Sequence, residues 1–254
     1  MNKSESFSNL PADLSPEAAS NSDPIGAETL RRIYKLDNLN RWMWSRVEPW
    51  VGDRVMEAGC GTGTMTAFLL SRSYVCGVDM NEQHLEDLQN KFGQPKHFET
   101  FMSNLEDPRL RELADRNFDT IVCLNVLEHV EDHETTLAHF HAILQPGGRL
   151  VLLVPAYQSL YGTLDEGLSH YRRYDKKPLL DLLKKHQFEI VNHRYLNSFG
   201  VLGWWLNGKV LKRALLPSGQ LNLYNALVPA FMLFEDMTGP PWGLSHVVCA
   251  QKPA

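Results

Sequence analysis

"DRVMEAGCGTG", residues 53–63, sends the apolar pair Val55 and Met56 straight into three glycines, Gly59, Gly61 and Gly63. A strand that runs into Gly-x-Gly-x-Gly and then a helix presents backbone N–H groups and a positive helix end to a ligand, with side chains missing where contact is closest. Dinucleotide sites use a related turn, but their Gly-x-Gly-x-x-Gly spacing counted from Gly59 calls for glycine at 64, where this chain has Thr64. That substitution argues against a nicotinamide-dependent oxidoreductase. Glu57 is expected to sit in the turn, where its charge opposes a pyrophosphate and suits a cationic ligand.

Outward from this turn, short apolar runs alternate with helical ones. "DRVMEAG", "YVCGVD", "HFETFM", "FDTIVCLN" and "GRLVLLVP" read as strands, and "MTAFLLSR", "NEQHLEDLQNKF" and "ETTLAHFHAIL" as the helices between them. Such alternation gives parallel strands with right-handed crossovers. The predicted fold is therefore α/β, a Rossmann-like doubly wound sheet. "FEIVNHRY" near 188–195 adds a sixth strand after the helix "DKKPLLDLLKKHQ", for which Asp175 is the expected N-cap. "SHVVCAQK" near 245–252 adds a seventh, expected to be antiparallel.

Asp79 ends the second strand about twenty residues after Gly59, where a carboxylate can accept both hydroxyls of a ribose. Asn104 and Leu105 follow the third strand and are offered to an adenine edge and face; Asn125 follows the fourth beside the same cleft. Four successive strand ends thus point at one adenosine-sized ligand.

"VMEAGCGTG", "VCGVDMNEQHL", "FDTIVCLNVLEHVEDH" and "LQPGGRLVLLVPA" together resemble, in order and spacing, the class I S-adenosylmethionine-dependent methyltransferases typified by ubiquinone-biosynthesis O-methyltransferases, over residues 51 to 156. The resemblance implies S-adenosyl-L-methionine as cofactor. It also implies that Gly59 and Gly61 pack on the methionine part, Glu57 anchors it, Asp79 holds the ribose, Met80 flanks the adenine, Asn104 and Leu105 contact the base, and Asn125 lines the pocket. Asn104 departs from the Asp that many relatives carry, which weakens a single adenine contact only.

Two stretches break the rhythm, 156–175 and 197–243, and both are expected to cover a substrate. Beyond residue 156 the chain is similar to a subset of bacterial methyltransferases with "LYGTLDEGLSHYRRY" and a "PPWGLSHVV" ending. The first stretch emerges where parallel sheets bind ligands, so Tyr157, Tyr161, Asp165 and Tyr174 are candidate acceptor contacts and His170 a candidate general base. The competing reading of this segment is a latch in which Asp165 pairs with an arginine. His129 and His133, four apart beside Glu128, Glu131 and Asp132, have ligand-like spacing, but an acid-rich helix start explains them without a metal, and none is expected. The stretch around Trp204, Trp205, Lys209, Lys212 and Arg213 suits core packing, a lid over an apolar acceptor, an oligomer interface or weak membrane-surface contact.

At 254 residues, with 43% hydrophobic and 22% charged residues and a net charge of -5, the chain is an ordinary globular one with no electrostatic case for nucleic acid. Residues 1 to 25 read as a disordered tail and 26 to 254 as one methyltransferase domain with a helical N-terminal cover. No run reaches membrane-spanning length, no leader is apparent, and the four scattered cysteines fit buried thiols in the cytoplasm. The expectation is methyl transfer to a small, apolar acceptor, on oxygen first, with nitrogen or carbon acceptors or a non-catalytic binding protein as alternatives.

Overall fold

The computed structural model describes residues 25, 28, 31, 32, 35–93 and 95–254. The expected disordered tail over 1–25 lies outside the described residues apart from Ile25, and so do positions 26, 27, 29, 30, 33 and 34 at the start of the expected helical N-terminal cover.

Seven strands form one sheet: β1 (Arg54–Ala58), β2 (Tyr74–Asp79), β3 (Phe98–Met102), β4 (Phe118–Leu124), β5 (Leu144–Pro155), β6 (Glu189–Leu196) and β7 (Ser245–Gln251). Their order is β3-β2-β1-β4-β5-β7-β6. The first five pair in parallel, and β7 runs antiparallel to both β5 and β6, as the sequence predicts for the last strand. The period of two divides the central strands between two cores. Met56, Ala58, Cys76, Val78, Ile121, Cys123, Leu150 and Leu152 face one side. Val55, Val75, Val122, Val151 and Leu153 face the other. Both faces are covered, which is why these strands read as continuous apolar runs. All four cysteines are buried and free.

The helices that matter for the site are α1 (Asp37–Val47), α2 (Thr66–Leu69), α3 (Glu82–Phe92), α4 (His133–Ile143), α5 (Thr163–Gly167), α6 (Lys176–Lys185), α7 (Gly200–Trp204) and α8 (Ser218–Thr238). The α3 helix starts where Asn81 accepts the Gln83 amide at 3.0 Å, and α4 where Asp132 accepts the Thr135 amide at 2.9 Å. Asp175 holds the N-cap position of α6 but makes no side-chain cap; its carboxylate instead accepts the Gln158 amide at 3.3 Å and ties the insertion to the helix. The N-terminal cover is α1, which lies against α8 through an Arg46–Asp236 ion pair at 2.5 Å and through Asn225, whose side chain accepts the Leu39 amide at 3.0 Å. Among the described residues no helix is long and apolar enough to cross a membrane.

Strand order reverses between β1 and β4, and the crevice at their carboxyl ends is where an open parallel sheet takes a ligand.

Candidate active site

Three glycines turn the chain out of β1 with φ of +70°, +50° and +80° at Gly59, Gly61 and Gly63. At Gly59 a methyl group would lie 2.5 Å from Val126 Cγ2, and at Gly63 one would lie 2.8 Å from the Phe92 ring. Above Gly61 nothing lies within 4 Å. Two of the glycines are thus demanded by packing, whereas the third keeps open space beside a backbone that only glycine adopts easily.

Glu57 does not sit in the turn. It belongs to β1, only 4% exposed, and its Oε2 accepts the Thr66 hydroxyl at 2.6 Å. Burial pushes its carboxyl up to about 8 against the opposing pull of Thr66. A carboxyl in that state is neutral at moderate pH and ionises when a cation arrives beside it.

Across the loop, Asp79 Oδ2 accepts the Gly61 amide at 2.8 Å and Oδ1 accepts the Asn81 amide at 2.9 Å, with His84 Nδ1 3.4 Å away. Burial opposes its ionisation, but the His84 ring and the two amides outweigh that and hold the carboxyl below the usual carboxylate range. The carboxylate is therefore fixed and charged, with lone pairs to spare for two further donors. His84 and Thr66 are positioning partners with no motif spacing to announce them.

Met80, just past Asp79, is 72% exposed. Asn104 is also exposed, its Oδ1 accepting the Glu106 amide at 3.1 Å. Leu105 differs from expectation. Its side chain is 6% exposed and part of the core under β4, so it offers a base little surface. Asn125, exposed at the end of β4, takes a left-handed φ of +54°, and Tyr157 beyond β5 takes +64°. Two non-glycine residues in this conformation at neighbouring strand ends mark backbone held by its surroundings.

The insertion after β5 folds as a latch around Asp165, which is fully buried. Its Oδ1 accepts from His170 Nδ1 at 2.9 Å and Arg173 Nε at 2.7 Å, and its Oδ2 from Trp204 Nε1 and the Gly162 amide, each at 3.1 Å. Burial opposes its charge, yet His170, Arg173 and Trp204 keep the carboxyl below the usual range. Asp165 accordingly has no face left for an acceptor. Tyr174 is likewise turned inward, 5% exposed, donating to the Leu127 carbonyl at 3.2 Å and standing 3.0 Å from His133 Nδ1. Tyr161 is half-buried and donates to the His170 carbonyl at 2.7 Å, while Tyr157 stacks on Tyr195 at 5.7 Å.

That segment docks on the loop after β4. The Tyr171 amide donates to the Glu128 carbonyl at 2.8 Å, and the Arg172 guanidinium to the Val130 and Glu131 carbonyls, each at 2.7 Å. Docking brings the His170 ring edge-on to His129 at 4.6 Å, with Glu128 beside them. His133, engaged by Tyr174, does not join His129. The ligand-like spacing of His129 and His133 in the sequence therefore does not become a contact between them.

Comparison with known proteins agrees with this geometry. A family model described as a methyltransferase domain matches residues 56–150. The chain is 30% identical over 132 residues to the O-methyltransferase cnsE of Penicillium expansum, covering 51% of this chain and 47% of that one. It is 29% identical over 229 residues to the ubiquinone biosynthesis O-methyltransferase of Haemophilus ducreyi, covering 85% and 87%. A solved S-adenosylmethionine-dependent methyltransferase from Archaeoglobus fulgidus superposes with a TM-score of 0.59 at 16% identity, over 89% of this chain and 99% of that one.

Residues 56–150 match a methyltransferase domain, and the sheet order and core motifs of the chain are similar to those of the class I S-adenosylmethionine-dependent methyltransferases. Within that class the chain resembles the ubiquinone-biosynthesis O-methyltransferases, and S-adenosyl-L-methionine is the cofactor the class takes. It spans about half the length of several of the curated relatives it matches.

Proposed function

We propose that the chain transfers the methyl group of S-adenosyl-L-methionine to an oxygen of a small, largely apolar acceptor. The observation that carries the reading is the closure of Glu57, the open Gly61 and Asp79 into one cluster at the carboxyl ends of β1 and β2, tied by the 2.8 Å Gly61–Asp79 bond. In this reading Asp79 accepts the ribose hydroxyls and Gly59 and Gly61 let the methionine part approach the backbone. Glu57 ionises against its positive charge, Met80 and Asn104 flank the adenine, and Asn125 borders the pocket. Leu105 shapes the base site from beneath.

The acceptor enters from the side of the 156–175 insertion, past Tyr157 and Tyr161. Asp165 takes the Nδ1 side of His170, leaving Nε2 as the basic atom toward the acceptor oxygen. The transfer itself needs an in-line approach of that oxygen to the sulfonium methyl, and the covering segments supply the positioning and exclude water. An apolar acceptor is favoured because Leu202, Trp205, Leu206, Val210 and Leu211 are exposed around α7, and Leu223, Leu233 and Met237 on α8. The same surface, beside Lys209 and Lys212, suits weak contact with a membrane surface. Oxygen is preferred over nitrogen or carbon because two of the relatives carry O-methyltransferase names. The free buried thiols fit a cytoplasmic location.

Calorimetry with S-adenosylmethionine, S-adenosylhomocysteine and NAD, followed by mass spectrometry of an acceptor panel, tests the proposal. Binding of the first two with a mass gain of one methyl on a hydroxylated apolar acceptor is expected. No affinity for either overturns it. Binding without turnover across the panel favours a non-catalytic role for the fold.

A further inference from the structure

We infer that the outward face of α8 is the seam of a symmetric homodimer, packed antiparallel against the same helix of a second copy. The helix carries two apolar faces. Tyr224, Val228, Phe231 and Met232 turn toward the body of the protein and join the core that includes Trp42 and Val47 of α1. The other face holds Leu223, Leu227, Ala230, Phe234 and Met237, spaced four, three, four and three residues apart. That is the spacing by which one helix packs along another. All five are exposed, Met237 to 77% and Leu223 to 63%. Ala226 and Leu233, also exposed, widen the same stripe. Phe199, itself exposed, extends it with a ring 5.1 Å from that of Phe234.

Three features commit this face to a second copy. The first is area: the seven side chains of the stripe expose on the order of 600 Å², the upper end of what a monomer leaves contiguous and close to the roughly 800 Å² that each partner of a stable complex buries. The second is symmetry. Positions 223, 226, 227, 230, 233, 234 and 237 are symmetric about Ala230. A two-fold axis at Ala230 therefore sets Leu223 against Met237, Leu227 against Leu233 and the small Ala226 against the large Phe234, each contact made twice, as an isologous interface requires. The two Ala230 side chains meet at the axis, where small groups let the helices approach. The third is charge. No lysine or arginine lies on α8, and of its two acids Glu235 is buried and Asp236 is paired with Arg46. Nothing on the stripe repels its own copy, and nothing on it draws anionic headgroups, since Lys209, Lys212 and Arg213 precede the helix.

The dimer stands apart from the methyl-transfer reading. Leu223 and Met237 belong to the apolar layer weighed above for the acceptor; a second copy covers them and leaves the α7 side of that layer to the acceptor. Because α8 also holds α1 through Asp236 and Asn225, the seam joins the helical covers of the two copies.

Sedimentation velocity of the full chain over a wide concentration range tests the seam. Expected is a reversible dimer of two 29.0 kDa chains. Ala230→Glu, which sets two carboxylates face to face at the axis, should weaken it at least tenfold while far-ultraviolet circular dichroism and S-adenosylhomocysteine affinity hold at wild-type values. Leu223→Glu and Met237→Lys should each weaken the dimer, and an equimolar mixture of the two should recover it, because the antiparallel register places those positions opposite one another. A mixture that fails to recover overturns the register even if Ala230→Glu fails to fold, and a dimer that Ala230→Glu leaves intact overturns the seam. A wild-type chain that stays monomeric overturns the proposal outright. Pelleting of that monomer with phosphatidylethanolamine–phosphatidylglycerol vesicles then gives the stripe to lipid, and crosslinks from a photoreactive group at position 230 into residues 1–24 of the same chain give it to the tail.

Discussion

The Thr66 hydroxyl donates to Glu57 at 2.6 Å from the first residue of the helix that follows the glycine turn, so a strand carboxyl and the helix start are joined beneath the cofactor cleft. The Glu57 carboxyl is pushed from an ordinary value of 4.5 up to about 8 by burial. The folded protein therefore keeps a proton there that the unfolded chain gives up, and stability falls as pH rises through that interval, levelling above it. Denaturant unfolding at pH 5 and pH 8 should show Glu57→Gln losing most of this slope, a difference on the order of a few kcal/mol.

Cofactor binding should run the other way. If Glu57 ionises against the methionine part, binding releases protons between those two pH values, and affinity for S-adenosylmethionine rises as pH approaches 8. Calorimetry at pH 7 in two buffers of different ionisation enthalpy reads the released proton directly, and Glu57→Gln should abolish the buffer difference.

Gly59 and Gly61 should fail differently. Gly59→Ala drives a methyl group to within 2.5 Å of Val126 at a φ of +70°, so roughly 2–4 kcal/mol of stability should be lost. Gly61→Ala carries only the backbone penalty, about 1–2 kcal/mol, because the space above it is open. Its cofactor affinity should nevertheless drop tenfold or more. Thermal melts paired with S-adenosylhomocysteine titrations separate the two effects.

Asp79→Ala removes the acceptor of the Gly61 amide and, in the proposed complex, of the ribose hydroxyls. Each hydrogen bond to a charged group contributes about 1.5–3 kcal/mol, so nucleoside affinity should fall at least a hundredfold. Wild-type affinity for S-adenosylhomocysteine in this variant would refute the ribose assignment.

Asp165→Ala strands the Arg173 guanidinium, whose side chain is 1% exposed, without its carboxylate. Removing one partner of a buried pair costs about 3–5 kcal/mol. The Asp165 carboxyl is held below its ordinary value of 3.8, so its contribution is present above that pH and lost as pH falls beneath it. Chemical unfolding of wild type and variant at pH 7 and pH 3 should show a smaller gap between the two at the lower pH.

Much of this architecture is legible in the sequence because the central strands are buried on both faces. Val55, Val75, Val122 and Val151 must be apolar as much as their neighbours on the opposite side, and runs of that kind between helical stretches leave few topologies. Asp79 and the glycines are legible for the same local reason, since strand, turn and acid lie in order. What distance in the chain separates is hidden. Nothing local pairs His170 with His129 rather than His133 with His129, because that choice follows from how Tyr171 and Arg172 dock on carbonyls of another loop. Tyr174 and Asp165 look like substrate groups by their chemistry, yet their partners turn them inward. Asp175 reads as a helix cap and serves Gln158 instead.

The place of β7 between β5 and β6 bears on how the protein is made. Until Ser245–Gln251 has left the ribosome, β6 has no neighbour and β5 shows a bare flank of Leu150–Val154, all of it apolar. Such a flank invites pairing with another nascent chain. Synthesis of the long α7–α8 segment is the interval over which that exposure lasts, so expression yield should depend on how quickly those codons are translated.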